Sequence, residues 1–226
     1  MTASRPKCMV SIAGTPLLGH IANSYRAAGV TDLVVVRGYQ KDTVDLEGLK
    51  YFDNDEPATG ETYSLAQALP ALEGHCLISF GDVLFKKYIP QELMDLEADF
   101  AVAVDTDWRA SHRRGRQARY VTCSSDSPRR TPGGPVTLRD VAADLDPAVI
   151  HGEWMGFLKV SGEGARFLRE LLHRLGAEGD RLRGMDLARL LREILQAGKE
   201  IRVIYTTGHW LDIDTVEDVL TGGAFQ

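Results

Sequence analysis

The stretch Cys76-Leu77-Ile78-Ser79-Phe80-Gly81-Asp82 decides how this chain is read. A short apolar run closed by a glycine and a carboxylate fits a strand buried on both faces, as in a parallel sheet, where hydrophobic alternation is lost. Related patterns recur along the chain. Leu33-Val34-Val35-Val36 is closed by Arg37-Gly38-Tyr39, Leu49-Lys50-Tyr51-Phe52 reads as the next strand, and Phe100 to Val104 as another. Ile201-Arg202-Val203-Ile204-Tyr205 leads towards Asp212 and Asp214. Between these runs, apolar residues three and four apart predict helices. Pro16 to Ala28 carries Leu17, Leu18, Ile21, Ala22 and Tyr25 on one face, with Pro16 at its start and Gly29 past its end. Further helices are expected over Ser64 to Leu72, where Pro70 must end or kink the helix, over Gly162 to Leu175, and over Met185 to Ala197, with Gly198 as its stop. Thr215 is placed to cap a short closing helix with Glu217 and Asp218 in its first turn. The alternation predicts one α/β domain over residues 1–226, with a mostly parallel, doubly wound sheet flanked by helices.

The composition sets limits. A chain of 226 residues with 44% hydrophobic and 26% charged side chains can bury a full core. Its net charge of −6 argues against a broad nucleic-acid surface. Cys8, Cys76 and Cys123 show no metal-ligand spacing and read as reduced thiols. No apolar run has the length that spans a bilayer, and Met1 to Lys7 lacks an apolar signal region, so a cytoplasmic protein is expected. The rhythm breaks between Asp105 and Val149, in the region 105–150. There Arg113, Arg114, Arg116, Arg119, Arg129 and Arg130 are interleaved with Pro128, Pro132, Gly133, Gly134 and Pro135. This reads as a lid, an irregular or antiparallel excursion over the site, with a solvated loop as the alternative.

Asp82 follows one apolar strand, and Asp212 and Asp214 follow another. Ligands of open α/β sheets bind beyond the carboxyl ends of the strands, and carboxylates gathered there suit Mg²⁺, which combines a few carboxylate oxygens with substrate phosphates. The alternative is ordinary turn and cap chemistry. The six histidines are scattered, and neither a Ser-His-Asp nor a Cys-His arrangement is evident.

Three segments together resemble a nucleotidyltransferase of the sugar-nucleotide pyrophosphorylase superfamily. They are Arg5-Pro6-Lys7-Cys8-Met9-Val10 with Ala13-Gly14-Thr15-Pro16-Leu17-Leu18, then Gly81-Asp82, then Trp210-Leu211-Asp212-Ile213-Asp214-Thr215-Val216-Glu217-Asp218. Within that superfamily, Val35 to Tyr39, Thr59 to Leu65, Ile78 to Phe85 and Gly152 to Gly156 resemble the cytidylyltransferases that act on phosphocholine and on phosphonates, including those associated with phosphoenolpyruvate mutase. The resemblance implies a Rossmann-like α/β sandwich with a small lid. It implies Lys7 as the catalytic lysine, Asp82 and Asp214 as holders of Mg²⁺ with Asp212 as a helper, and Thr59 and Gly60 as the loop against the pyrimidine. Glu61, Tyr63 and Ser64 would face the acceptor, with Glu153 and Trp210 as its other wall. The family's amino-terminal strand and Gly-rich triphosphate loop, which precede the position of Ser4-Arg5-Pro6-Lys7, have no counterpart in these residues.

The activity so implied is Mg²⁺-dependent transfer of CMP from CTP to a small phosphonate, or a phosphocholine-like phosphate, with release of pyrophosphate. A homodimer or a partner enzyme of a phosphonate pathway is compatible with it, and neither nucleic acid nor membrane is expected as a partner. Two other readings stand beside it. One is a sugar-phosphate nucleotidyltransferase, and the other a degenerate module of the same fold that binds without turnover.

Overall fold

The computed structural model describes residues 5–56, 58–109, 118–126 and 134–225. Past a turn of 3-10 helix at Lys7–Met9, the chain forms the small hairpin β1 (Ser11–Ile12) and β2 (Thr15–Pro16). Ala13 and Gly14 take positive φ at its tip, as a tight two-residue hairpin turn demands. There follow α1 (Leu17–Ala27), β3 (Val34–Arg37), β4 (Lys50–Asp53), α2 (Glu61–Gln67), β5 (Cys76–Ser79) and β6 (Val83–Phe85). The middle of the chain gives α3 (Tyr88–Asp95), β7 (Phe100–Asp105), β8 (Tyr120–Cys123), β9 (Leu138–Ala142) and β10 (Gly152–Val160). It closes with α4 (Gly162–Ala177), α5 (Leu187–Gln196), β11 (Ile201–Thr206), β12 (Trp210–Asp212) and α6 (Val216–Ala224).

The expected strands and helices are all present, with shifted ends. The second helix starts at Glu61, ahead of Ser64, and Pro70 falls in a separate turn of 3-10 helix at Leu69–Ala71. Caps read from sequence hold: the Thr215 hydroxyl accepts from the Asp218 N–H while the Asp218 carboxylate accepts from the Thr215 N–H. Several elements escaped the sequence reading: α3, β6, β12 and the whole of β10, which is buried along its nine residues.

The main sheet runs β11–β7–β10–β8–β9, with β5 also paired to β10. β7 and β11 are parallel, β10 is antiparallel to β7 and to β5, and β5 therefore shares the direction of β7 and β11. β3 and β4 pair in parallel as a separate ribbon. Side chains alternate across the sheet as the pleat requires. Phe100, Val102 and Val104 face the core under α4 and α5, while Ala101 and Ala103 face the one that holds α1 and α3. Gly156 interrupts the register between β10 and β7 at positive φ, and a Cβ there would lie 2.2 Å from the Phe80 ring.

The two-stranded excursion β8–β9 is antiparallel and extends the sheet beyond β10, against α5. Arg113, Arg114, Arg116, Arg129 and Arg130 lie outside the described residues. Between β3 and β5 runs a slot of about 460 Å³, walled by those two strands at its sides and by α1 and α2 above and below. The chain shares the α/β architecture that the alternation of elements implied.

Candidate active site

Asp82 follows β5, and the chain turns at once into β6, which pairs antiparallel with β12 so that Val83 faces Asp212. The Ile213 N–H donates to the Asp82 carbonyl at 3.0 Å, which ties the two carboxylate-bearing loops together. Asp212 and Asp214 therefore come from a strand pair of their own, a correction to their expected place directly after β11. The Asp214 N–H donates to Asp218, fixing the loop through the helix cap.

Lys7 enters this corner from the 3-10 turn after Pro6. Its ammonium donates to Asp82 at 2.8 Å, to Asp212 at 3.4 Å, and to Asp214. Burial works against the charged lysine, but the charge of Asp82 and the hydrogen bonds that Lys7 donates to Asp214 and Asp82 outweigh it and hold the Lys7 pKa above the usual lysine range. The sequence placed these four residues at one site, and the fold brings them there from separations of 75 to 207 positions. They close on an ammonium, and among the described residues no three His, Cys, Asp or Glu side chains are grouped to hold a metal unaided. The donor set, hard oxygens at the mouth of a cleft, nevertheless suits a hard divalent cation that completes its shell with water and phosphate.

A second group sits at the amino end of α2. Asn54, buried just past β4, donates to the Thr59 hydroxyl at 2.8 Å and to the Ser64 hydroxyl at 3.0 Å. The sequence reading passed over Asn54, whose only signal is a polar side chain immediately after a strand. Gly60 is the N-cap of α2, and its N–H donates to the Arg183 carbonyl at 2.6 Å. A Cβ on Gly60 would meet the Met185 carbonyl oxygen at 2.3 Å. The chain's own backbone thus by itself requires glycine at this position.

The Glu61 carboxylate accepts the Leu187 N–H at 2.9 Å and so caps α5, whose N-cap residue Asp186 also takes the Thr62 hydroxyl on its carbonyl. Burial pushes the Glu61 carboxyl up, against the pull of the Leu187 N–H and of Arg119. The charge of Asp82 adds to the upward push, and Glu61 and Gly81, the neighbour of Asp82, both line the slot. Arg119 itself pairs with Asp186 at 3.1 Å, so one arginine of the excursion reaches this edge. Tyr63 lies under the Arg183 guanidinium, 5.3 Å from ring centre to Cζ.

The expected far wall differs. Trp210 is only 3% exposed, packs in the core of α1 and α3, and donates its indole N–H to Asp105 at 2.8 Å. It is a core residue, because the carboxylate that satisfies its N–H is itself buried at the end of β7. Glu153 is equally buried, within β10, opposite Asp105 and Tyr120. Neither lines an acceptor wall. All three cysteines are free thiols.

The chain is 22% identical over 239 residues to the CTP:phosphoglutamine cytidylyltransferase of Campylobacter jejuni subsp. jejuni, an alignment covering 97% of this chain and 91% of that one. Among solved structures it is similar to the inositol-1-phosphate CTP transferase of T. maritima, with a TM-score of 0.70 and 18% identity over 100% of this chain and 89% of the other. It is also similar to the CTP:phosphocholine cytidylyltransferase of Streptococcus pneumoniae, with a TM-score of 0.67 and 13% identity over 98% and 90% of the two chains. Residues 1–182 match the MobA-like NTP transferase domain. With Lys7 and three aspartates gathered at the carboxyl end of such a sheet, the chain belongs to the MobA-like NTP transferase family and is a nucleotidyltransferase.

Proposed function

We propose that this chain transfers CMP from CTP to a small phosphate or phosphonate, releasing pyrophosphate. The observation that carries the reading is the convergence of Lys7 with Asp82, Asp212 and Asp214 just past β5, next to Gly81, which lines the slot. An acceptor oxygen attacks the α-phosphorus of CTP, the bond from that phosphorus to the bridging oxygen breaks, and pyrophosphate leaves with the bond's electrons. No general base is required, because a phosphate or phosphonate oxygen already carries negative charge near neutral pH. Positioning and charge neutralisation supply the catalysis.

Lys7 is the chain's contribution to that neutralisation, placing a permanent positive charge where phosphate oxygens would lie. Asp82 and Asp214, with Asp212 beside them, would hold Mg²⁺, which when bound supplies further neutralisation of phosphate charge. Thr59 and Gly60 would lie on the nucleotide side and Glu61, Tyr63 and Ser64 on the acceptor side, with Arg119 as a further anion partner there. An aromatic box built on Trp210 is not part of this reading, since that ring is buried.

The preference for CTP is supported by the cytidylyltransferase from Campylobacter jejuni, which aligns over nearly the whole chain. The preference for a phosphonate rests on the segments Thr59 to Leu65 and Gly152 to Gly156. The test is pyrophosphate release from CTP, UTP, GTP and ATP with a panel of 2-aminoethylphosphonate, 2-hydroxyethylphosphonate, phosphocholine and hexose 1-phosphates. Turnover confined to CTP and the small acceptors is expected. Turnover of a hexose phosphate with UTP alone would overturn the reading in favour of a sugar-nucleotide enzyme.

A further inference from the structure

We propose that Asp105 is a positioning residue for the transferase reaction, its buried carboxylate holding against the main sheet the strand that carries Asp212. The inference rests on the reading of Asp82, Asp212 and Asp214 as the metal-holding group. Among the described residues β6 and β12 pair only with each other, so the elements between Asp82 and Asp214 share no ladder with the main sheet. Asp105, the last residue of β7, stands in that sheet between β11 and β10 and reaches across to the pair. One of its oxygens accepts the N–H of Asp107 at 2.9 Å and that of Gly208 at 2.8 Å, and the other accepts the Trp210 indole N–H at 2.8 Å. Asp105 and Trp210 are both buried. A buried carboxylate is costly unless donors surround it, and bonds to an ionised acceptor are stronger than neutral ones.

Trp210 and Asp212 are alternate residues of β12, so they share one face of the strand. Anchoring the indole therefore helps to set where Asp212 meets the Lys7 ammonium, at 3.4 Å. Gly208 and His209, which join β11 to β12, both take a φ of 64°, a left-handed conformation that a residue such as His209 keeps only where its surroundings fix it. The Gly208 bond to Asp105 and the Lys86 N–H on the His209 carbonyl, at 3.0 Å, do so. Beyond β12 the Ile213 N–H bonds the Asp82 carbonyl and the Asp214 N–H bonds Asp218. The aspartate loop is thus fastened at its far end to Asp82 and the cap of α6, and at its near end to the main sheet through Asp105. Asparagine in place of Asp105 has one acceptor oxygen for donors that now use two, and sets its NH₂ against an N–H. A two-stranded pair is marginal on its own, so a slacker attachment lets it open while the main sheet stays closed.

Amide exchange is measured first, with neither metal nor nucleotide present, so this arm does not depend on the transferase reading. In Asp105→Asn the amides of residues 83–85 and 210–213 should exchange at least about 10-fold faster than in the parent chain, and those of β10 within about 3-fold of it. Turnover of CTP with a small acceptor is then titrated with Mg²⁺. The half-saturating Mg²⁺ concentration should rise about 10-fold, as it does if the seated pair falls to about a tenth of the molecules, while kcat at saturating Mg²⁺ returns to within about 3-fold of the parent. Leu171→Ala, which opens the core under α4 instead, should leave both the exchange of these residues relative to β10 and the Mg²⁺ requirement as in the parent. Trp210→Phe removes one donor and keeps a ring, and it should give smaller changes of the same kind. It takes the place of the asparagine variant if that variant does not fold. Unchanged exchange at residues 83–85 and 210–213 in the folded variants would overturn the proposal. So would an unchanged Mg²⁺ requirement, a loss of kcat that saturating Mg²⁺ does not restore, or the same pattern in Leu171→Ala. A parent chain that turns over none of the acceptors would overturn the transferase reading instead, and the exchange arm alone would then decide whether Asp105 holds the pair.

Discussion

The two halves of the sheet differ in how far they are finished. β7 and β10 are buried at every residue, with partners on both sides, and the rings of Phe157 and Phe85 meet edge to face beneath them at 4.9 Å. β3 and β5 have similar apolar sequences, yet every residue in them is half-buried and each has a partner on one side among the described residues. The same hydrophobic pattern thus yields a closed wall where neighbours flank it and an open cleft where they do not. The Lys7 and aspartate cluster lies at the end of the open half.

The sharpest way to break this contrast is a pair of truncations. Phe157→Ala should cost about 3–5 kcal/mol in urea unfolding, as expected for a large ring lost from a closed core, whereas Val35→Ala should cost under about 1 kcal/mol. Similar losses at the two positions would mean that the open half is as well packed as the closed one.

A smaller effect tests how the open half is tied down. Gly60→Ala drives a Cβ into the Met185 backbone, so α2 must shift away from the segment that leads into α5. A cost of about 1–3 kcal/mol is expected, with a fall in activity towards small acceptors. Unchanged stability would show that this contact yields freely.

The smallest expected effect is at Glu61. Its folded carboxyl is raised by burial, so the unfolded chain releases that proton first, and the folded state loses stability as pH rises through the folded value. Glu61→Gln keeps an oxygen for the Leu187 N–H and does not titrate. Relative to the parent chain, the variant should therefore gain more stability at pH 7 than at pH 4 in paired urea titrations. A larger gain at pH 4 would reverse the assignment.

Most of the frame was legible in the sequence, because strands such as Phe100 to Val104 and helices such as Gly162 to Leu175 announce themselves by period and by stops. β10 did not, since its Gly152, Glu153, Gly156 and Lys159 look like breakers or surface residues; Glu153 is buried opposite Asp105, and Lys159 donates to the Leu96 and Ala98 carbonyls. The carboxylate cluster was legible from strand ends and motif order. Trp210 was misjudged because what it touches, Asp105, lies 105 positions away along the chain, beyond any local pattern, and the packing of Gly60 against Met185, 125 positions away, was hidden for the same reason. Asn54 went unnoticed because a single polar residue after a strand is ordinary until the fold sets two hydroxyls against it.

The central claim, that Lys7 and the aspartates form the nucleotide and metal end of the cleft, is tested most directly by calorimetry of CTP binding with Mg²⁺ present. The parent chain should show a Mg²⁺-dependent binding heat, and Asp82→Asn and Asp214→Asn should each lose it while their circular dichroism stays that of the folded protein. Unchanged affinity for CTP and Mg²⁺ in both variants would contradict the account.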